Sequence, residues 1–505
     1  MICIPITANN MENALQDMTE ASKVADVIEL RLDYIQNPNL ELLLKNRTKP
    51  IIATNRPVRE GGKYTGSEEE RISLLKQAIQ MQVEYVDIEH DSVQYIKKFL
   101  SSPVNNKTKC IVSYHDFHNT PDTLTGIYQK LSQCKTDIIK IVTYANDITD
   151  NFKIYRLLQT FKTPIISFCM GDYGIISRIL YKKFGSFLTF ASLGKGKESA
   201  PGQINIHELL DVYQLRKQDS NTAIYGLIGN PVSHSISPAI HNTLFQAMNF
   251  HSVYIPFRVN NISAFMKEFK GIGIKGCSIT IPYKESVIKY VDEIDPLAKK
   301  IGAVNTIVNQ NGRLVGYNTD CAAAIKTLKN MFPVSSEDNH LKDKNIALLG
   351  AGGVARSIAF GLKEVGAKVT IINRNYLRAQ SLAQDVGCAA EDLSRFQTDD
   401  MKWDILINAT PVGMHPSVNE TPINKNSLQA KVHVFDTIYN PLETKLLQDA
   451  KARGCKVANG LPMFLYQAAA QFSLWTGKIP PYELLEKIAY KKLFGGVTEV
   501  THNKY

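Results

Sequence analysis

Eight short runs rich in β-branched residues recur at a regular beat through the first 215 residues: Ile2–Thr7, Val27–Asp33, Ile51–Arg56, Val83–Glu89, Cys110–Asp116, Asp137–Thr143, Pro164–Met170 and Phe187–Leu193. Stretches with helical spacing, such as Glu68–Met81 and Asn151–Phe161, lie between them. Strands that alternate with helices pair in parallel as βαβ units. Eight such units in roughly 200–250 residues is the count that closes a (β/α)8 barrel. This pattern constrains the chain more than any other. Barrel strands are covered on both faces, so a charged side chain inside one needs a reason. Polar chemistry in this fold gathers at the C-terminal ends of the strands.

Polar residues stand where that rule looks for them. Strand two carries Glu29, Arg31 and Asp33, and strand three ends Thr54-Asn55-Arg56 before Glu60-Gly61-Gly62. Strand five ends Tyr114-His115-Asp116. Ser177-Arg178 follows strand seven, and Ser199-Ala200-Pro201-Gly202-Gln203 follows strand eight. Strand six sets Lys140 between two isoleucines. Burial disfavours an ammonium and leaves an amine able to form a Schiff base with a ketone. The same lysine could instead snorkel to the barrel mouth or pair with a carboxylate, and the strand alone leaves both readings open. His115 is a structural hydrogen-bonder or, beside a Schiff-base lysine, a proton shuttle with a suitable pKa. Arg31, Arg56 and Arg178 are ion-pair formers or rigid donor forks for a carboxylate and hydroxyls.

Taken in order, Glu29–Asp33, Thr54-x-Arg56 with Glu60-Gly61-Gly62, Ser113–Phe117, Lys140, Phe184-Gly185-Ser186 and Ser199–Gln203 resemble the type I 3-dehydroquinate dehydratase family across residues 1–215. The resemblance implies that Lys140 forms an imine with the substrate ketone. It implies that His115 removes the adjacent proton and passes one to the departing hydroxyl, oriented by Glu60. Arg178 would hold the substrate carboxylate, and Glu29, Arg31, Arg56, Ser199 and Gln203 would contact the ring and its hydroxyls.

At roughly 100–200 residues per domain, 505 residues predict about three domains. The formal net charge is +10, but Lys and Arg are dispersed with no basic block, which argues against a nucleic-acid partner and fits anionic small molecules. Eight cysteines (3, 110, 134, 169, 277, 321, 388 and 455) contain no CxxC pair, so neither a disulfide framework nor a metal site is expected. No run reaches ~18 apolar residues, and no membrane partner is expected. Met1 opens directly onto an apolar strand with no basic n-region, so no secretory signal and a cytoplasmic location are expected. Oligomeric state is not legible.

A polar stretch, Gln214–Thr222, marks the main boundary, and a new strand, Ala223–Gly229, follows. Later, Ile346–Leu349 leads into Gly350-Ala351-Gly352-Gly353-Val354-Ala355, a GxGxxA turn between a strand and a helix through Ala359–Val365. Such glycines allow a tight turn and close approach to a pyrophosphate at the helix N-terminus. The next strand, Lys368–Ile372, ends at Asn373-Arg374 with Arg378 beyond, where NAD sites usually carry an acidic residue. Arginines there suit a 2′-phosphate and predict NADP.

Around this turn lie Gly229–Pro238 with Ser235 and Ser237, Thr280-Ile281-Pro282-Tyr283-Lys284, Gly302–Thr306 with Asn305, Gly316–Asp320, Asn408–Met414 with Thr410, Asp436–Pro441 with Tyr439, and Gln467. That inventory suits a polyhydroxylated ring. Together these motifs resemble the shikimate dehydrogenase family over residues 222–490. The resemblance implies that Lys284 and Asp320 manage the proton that accompanies hydride transfer. Ser235, Ser237, Thr280, Asn305, Tyr439 and Gln467 would bind substrate. Gly350, Gly352, Gly353, Ala355, Asn373, Arg374, Arg378 and Thr410 would hold NADP, and Gly460–Gly495 would fold back as helices onto residues 222–325. This chain departs from the family at Ser278, Tyr283 and Asn375, where Asn, Phe or His, and Thr are common.

The expected architecture is α/β: an N-terminal (β/α)8 TIM barrel (1–218), a split substrate domain (222–325 and 459–505) and a Rossmann-type NADP-binding domain (326–458). The two resemblances share an intermediate: 3-dehydroquinate to 3-dehydroshikimate, then to shikimate. A class I aldolase would also place a lysine in a barrel, but no phosphate-binding glycine pattern follows strand seven or eight. Ser235, Ser237 and Arg374 favour shikimate over quinate. A regulatory protein built from the same domains would have lost catalytic groups, whereas Lys140, His115, Glu60, Lys284 and Asp320 are all present.

Overall fold

The computed structural model describes residues 1–495 except 46, 102–106, 234, 333–339 and 396–402, so His234 of the serine motif and 496–505 of the expected substrate domain lie outside the described residues. Eight strands alternate with helices: β1 (Ile2–Ile6), β2 (Val27–Arg31), β3 (Ile51–Thr54), β4 (Tyr85–Glu89), β5 (Lys109–His115), β6 (Ile138–Tyr144), β7 (Ile165–Met170) and β8 (Thr189–Phe190). They pair in parallel in the order β7-β6-β5-β4-β3-β2-β1-β8. The ends approach where the Phe187 amide donates to the Ile165 carbonyl (2.7 Å) and the Ser167 amide to the Ser186 hydroxyl (3.1 Å). This is the barrel that the eightfold beat predicts. β8 is shorter than the expected Phe187–Leu193, because from Ser192 the chain turns to pair with Ile204 and Asn205 instead of β1.

Side chains alternate along each strand, so the barrel interior fills in layers. Cys3, Val27, Ile52, Ile111, Ile138 and Ile166 belong to one buried apolar cluster. Two residues further along, the same faces carry Glu29, Thr54, Ser113 and Lys140, with Asp87 on β4 beside them, all buried. The barrel thus has an apolar floor and a polar upper storey.

The chain divides into two compact units. The first is Met1–Ile224 together with Asn249–Gly273. After β9 (Ala223–Gly229), the strand β10 (Ser252–Arg258) and the helix Ile262–Phe269 are therefore part of it. The second is Tyr225–Met248 with Ile274 onward.

A six-stranded sheet has the order β10-β9-β11-β13-β14-β12, with β11 (Ile274–Ile279), β12 (Glu293–Ile294), β13 (Thr306–Gln310) and β14 (Arg313–Tyr317) in the second unit. β13 runs antiparallel to β11 and β14, and β12 parallel to β14. A second sheet holds β15 (Asn345–Leu349), β16 (Lys368–Asn373), β17 (Ala389–Asp392), β18 (Ile405–Asn408), β19 (His433–Asp436) and β20 (Lys456–Ala458). Its parallel order, β17-β16-β15-β18-β19-β20, reverses between β15 and β18, the Rossmann-type arrangement. Ligands of such sheets bind at that reversal, beyond the C-terminal strand ends.

After β20 the helices Leu461–Thr476 and Tyr482–Phe494 return to the first of these sheets. The Trp475 indole donates to the Ile307 carbonyl (3.0 Å) and the Gln471 amide to the Asn305 carbonyl (3.1 Å). The Ser278 hydroxyl donates to Gln471 Oε1 (2.6 Å), so this departure from the family serves as an internal anchor. Phe472 is fully buried against Phe245, with ring centroids 5.4 Å apart. Phe472→Ala is therefore expected to destabilise the second unit by about 3–5 kcal/mol, read as a lower urea midpoint at unchanged slope.

Candidate active sites

At the barrel mouth a cavity is lined by Glu29, Arg31, Arg56, Glu60, His115, Lys140, Arg178 and Ser199, among others. Lys140 Nζ donates to Asp87 Oδ2 (2.7 Å) and stands 3.8 Å from Glu29 Oε1. Its ammonium also lies 4.6 Å from the centre of the Phe190 ring. Lys140 therefore meets carboxylates as well as an apolar wall, and burial alone does not describe it. Asp87 is shared: Arg56 contacts its other oxygen (2.7 Å) and Glu89 (2.5 Å), and donates to the Ser113 hydroxyl (2.7 Å). Arg71, fully buried on the helix Glu68–Gln80, completes the row with Glu89 (2.7 Å) and Glu68 (2.7 Å). Burial opposes the charge on Asp87, but Arg56 and Lys140 prevail and hold it well below the usual carboxylate range.

Arg56 thus lines the cavity with its guanidinium already committed. Arg31 is similarly clamped by both oxygens of Asp33 (2.9 and 2.7 Å), and Glu29 accepts from the Thr54 hydroxyl (2.9 Å). Arg178 differs. It is buried, lies 4.4 Å over the Phe168 ring, and makes one long bond to the Pro201 carbonyl (3.4 Å), while its Nε has no partner. Burial without an anion lowers its pKa to about 10. Beside it, Gln203 Oε1 accepts from the Ser199 amide (2.7 Å) and hydroxyl (3.3 Å), leaving a buried Nε2 without a partner.

His115 Nδ1 lies 3.1 Å from Glu60 Oε2. Glu60 ends a short 3-10 turn, Val58–Glu60, closed by Gly61 at φ 73°. A side chain on Gly62 would collide with the Arg56 carbonyl, so this turn accepts only glycine there. Burial raises the Glu60 pKa to about 7, with Arg56 opposing and Glu89 adding. Burial holds His115 well below the ordinary histidine value, reinforced by Arg56 and Lys140. A neutral His115 with its proton on Nδ1 keeps Nε2 as a base.

In the second unit, Lys284 Nζ donates to Asp320 Oδ2 (2.6 Å). Asp320 opens the helix Asp320–Lys329, and the Thr319 before it is fixed by Asn305, which accepts the Thr319 amide (2.8 Å) and donates to its hydroxyl (2.9 Å). Asn305 is buried, and its amide is already engaged inside the protein. The Thr319 hydroxyl also donates to the Gln467 carbonyl (3.3 Å). The Gln467 side chain donates to the Phe464 carbonyl (2.9 Å), and Tyr439 stacks on Phe464 at 4.4 Å. Tyr439 hydrogen-bonds Ser235, whose hydroxyl lies 3.0 Å from that of Ser237. Thr280, just past β11, donates its amide to the Ile228 carbonyl (2.9 Å).

Lys284 also lies against the glycine turn, because a Cβ on Gly353 would stand 3.1 Å from its own Cβ. Gly350, at φ 112°, passes close to the Ala409 carbonyl and Thr410, and its amide donates to the Ile372 carbonyl (2.8 Å). The turn, the end of β16 and Thr410 therefore meet where the strand order reverses. A Cβ at Gly352, which caps the helix Gly353–Glu364, would meet open space. That leaves a helix N-terminus open to a phosphate. Asn373 donates to the Asn375 carbonyl (3.1 Å). Arg374 and Arg378 are exposed, and neither guanidinium has a partner among the described residues. These groups fit a 2′-phosphorylated dinucleotide. Asn375 is the N-cap of the helix Tyr376–Val386, a role a Thr would also fill. Ala355 faces away from the turn, buried in the core, and acts through packing.

Sequence reasoning did not single out Asp87, Glu89 or Arg71, nor Asn408 and Asp436 as a pair. The signal was present on β4, where Asp87 and Glu89 alternate with apolar residues. Asn408 Oδ1 accepts from the Thr410 amide (3.0 Å) and hydroxyl (2.7 Å), and its Nδ2 donates to Asp436 (3.1 Å). Burial raises the Asp436 pKa to about 6. Among the described residues no cluster of three or more metal-ligating side chains occurs, and no helix is long and apolar enough to cross a membrane.

The family model for type I 3-dehydroquinase matches residues 2–220. Models for the shikimate dehydrogenase substrate-binding domain, shikimate/quinate 5-dehydrogenase and the shikimate 5′-dehydrogenase C-terminal domain match 227–307, 334–442 and 460–490. The chain is 39% identical to the chloroplastic bifunctional 3-dehydroquinate dehydratase/shikimate dehydrogenase of Arabidopsis thaliana, over 97% of this chain and 84% of that one. It is 42% identical to a Bacillus cereus shikimate dehydrogenase (NADP+), over 54% of this chain and 99% of that one. Among solved structures, a shikimate dehydrogenase in complex with NADP+ is 39% identical with a TM-score of 0.51, covering 55% of this chain and 97% of that one. The Aquifex aeolicus shikimate dehydrogenase is 36% identical with a TM-score of 0.50, covering 54% and 98%.

The electrostatics of Glu60 yield a signed prediction. Its folded pKa is raised from 4.5 to about 7, so its contribution to stability is fully present below 4.5 and is lost as pH rises through 7. Glu60→Gln keeps a hydrogen-bonding group and removes that loss. Relative to the parent, it should gain on the order of 2 kcal/mol between pH 4 and pH 8, after discounting for partial exposure. Urea unfolding at both pH values measures this, and an offset that does not change with pH would contradict it.

Proposed function

The chain belongs to the bifunctional 3-dehydroquinate dehydratase/shikimate dehydrogenase family, and we propose how its residues divide that work. It dehydrates 3-dehydroquinate to 3-dehydroshikimate and reduces that product to shikimate with NADPH. We assign the dehydratase to 1–218, the shikimate-binding domain to 222–325 and 459–505, and the NADP-binding domain to 326–458. The ranges of the family matches support this division.

In the barrel, Lys140 attacks the substrate ketone and water leaves, forming an imine whose protonated form draws electrons from the neighbouring C–H bond. His115 takes that proton. The C–O bond of the adjacent leaving hydroxyl then breaks, and His115 returns a proton so that the group departs as water. A second water hydrolyses the imine and restores Lys140. Glu60 orients His115. Arg178 holds the substrate carboxylate, and Glu29, Arg31, Arg56, Ser199 and Gln203 face the ring, with Arg31 and Arg56 held in place by their own carboxylate partners. The observation that carries this reading is Arg178, a buried cation with no anion partner among the described residues, in the same cavity as Lys140 and His115.

In the second unit, bound NADPH supplies the hydride. Lys284, held by Asp320, donates the proton that neutralises the developing alkoxide. Ser235, Ser237, Thr280, Tyr439 and Gln467 bind the ring hydroxyls and carboxylate, with Asn305 setting Thr319 beside Asp320. Gly350, Gly352 and Gly353 would cradle the pyrophosphate of NADP, Thr410 would help hold the cofactor, and Asn373, Arg374 and Arg378 would select its 2′-phosphate. The substrates are small molecules. The eight free cysteines support a reducing compartment, which we take as the cytoplasm.

Mixing the protein with 3-dehydroquinate and NADPH should consume NADPH only when dehydroquinate is present, and failure of both this assay and direct dehydroshikimate reduction would refute the reading. Lys140→Ala should abolish dehydration and leave dehydroshikimate reduction intact. Borohydride with substrate should trap an adduct on Lys140, and a trapped mass on another lysine would refute the assignment. Arg374→Ala should raise the KM for NADPH on the order of tenfold or more, with little change for NADH; equal effects would contradict the 2′-phosphate role.

A further inference from the structure

The segment Asn249–Gly273 falls, in sequence, inside the match to the shikimate dehydrogenase substrate-binding domain, yet in space it belongs to the same compact unit as the barrel. Its anchor is apolar. Phe265, fully buried, meets Phe257 of β10 at 5.1 Å and Phe152 of the barrel helix Asp150–Thr160 at 5.9 Å. An exposed ion pair, Arg156–Glu268 (2.9 Å), lies at one end of this contact.

At the other end the segment grips the turn that follows β7. Arg258 donates to the Asp172 carboxylate (3.2 Å), and its guanidinium lies 4.9 Å over the Tyr173 ring. The Asn260 side chain donates to the Tyr173 hydroxyl (2.6 Å). β10 packs against the short helix Ile175–Ile179, which carries Arg178. The gripped turn is also fastened to the loop that holds Ser199 and Gln203. The Gly171 amide donates to the Pro201 carbonyl (3.1 Å), and a side chain on Gly202 would collide with the Gly171 carbonyl. Residues 171–179 and 199–203 are therefore fastened to each other, and among the described residues no anion fixes the position of Arg178.

We infer that Arg258 and Asn260 are positioning residues of the dehydratase: by holding Asp172 and Tyr173 they set the place of Arg178 and so the affinity for the substrate carboxylate. The barrel's substrate affinity thereby depends on a segment encoded within the dehydrogenase half. The inference rests on the reading of Arg178 as the carboxylate holder. The Arg258–Asp172 pair is solvent-exposed and contributes little to stability, so its effect lies in geometry.

The test is made on the full chain. Arg258→Ala combined with Asn260→Ala should raise the KM for 3-dehydroquinate on the order of fivefold, with kcat and the unfolding midpoint nearly unchanged. Arg258→Lys should recover part of that loss. Arg178→Ala should raise KM further, and Glu268→Ala, on the same segment but away from the turn, should leave it alone. Tyr173→Phe, which deletes only the hydroxyl that Asn260 grips, should give a rise of about twofold. An unchanged KM in the double variant and in Tyr173→Phe, beside a raised KM in Arg178→Ala, overturns the inference. So does a loss of kcat and stability at constant KM, the mark of a purely structural staple. An unchanged KM in Arg178→Ala overturns the carboxylate reading itself, and the inference with it.

Discussion

Glu68, Arg71, Glu89, Arg56, Asp87 and Lys140 form a row of charges that alternates in sign, running from a helix N-terminus into the centre of the barrel. Each charge taken out of water costs several kcal/mol unless its partners are well placed, and removing one member strands its neighbours. The row therefore dictates features that look unrelated. Arg71 is fully buried on a helix whose N-terminus is closed by a Ser67–Glu70 capping box. Arg56 follows the short strand β3 and cannot swing, because Asp87, Glu89 and Ser113 all hold it. The lysine at the end of the row inherits a fixed position from all of them.

Against so saturated a scaffold, the few groups without partners mark where a ligand belongs. Native proteins satisfy nearly all of their buried polar atoms, so an exception asks for an explanation. Arg178 Nε and Gln203 Nε2 are two such exceptions at one barrel mouth. In the second unit the corresponding features are an open helix N-terminus at Gly352 and two arginines with no carboxylate partner among the described residues. In each case the scaffold spends its anions elsewhere and leaves positive groups for an incoming one.

Much of this was legible beforehand, for definite reasons. Period-2 runs with helical spacers read as a barrel because both periodicities are local. The glycine turn and Asn373-Arg374 read as a nucleotide site because backbone approach and charge are local too. What stayed hidden is long-range pairing. Arg56 and Arg31 read as ion-pair formers or donor forks, and the choice is decided by partners, Asp87 and Glu89 for one and Asp33 for the other, that strand register and loop closure set. Arg71 drew no attention in the sequence because its two carboxylate partners come from separate elements. Asn305 reads as a ligand but spends its amide on Thr319. Ala355 belongs to the fingerprint because only a small residue lets the helix pack so close, a matter of the core and not of the cofactor.

The two lysines show how the same ion pair serves different chemistry through the element that carries it. Lys140 and Lys284 each donate to an aspartate, at 2.7 and 2.6 Å. Lys140 sits mid-strand in β6, hydrogen-bonded into a ladder on both sides, a place that suits the nucleophile we propose it to be, which must not drift. Lys284 lies in the loop beyond β11 and leans on Gly353, the first residue of the helix behind the glycine turn. The proton donor we propose for the hydride transfer would have to meet the carbonyl oxygen beside the cofactor, and this loop brings Lys284 to the glycine turn. A strand could hold it as firmly but could not carry it to the seam between the substrate-binding sheet and the nucleotide sheet.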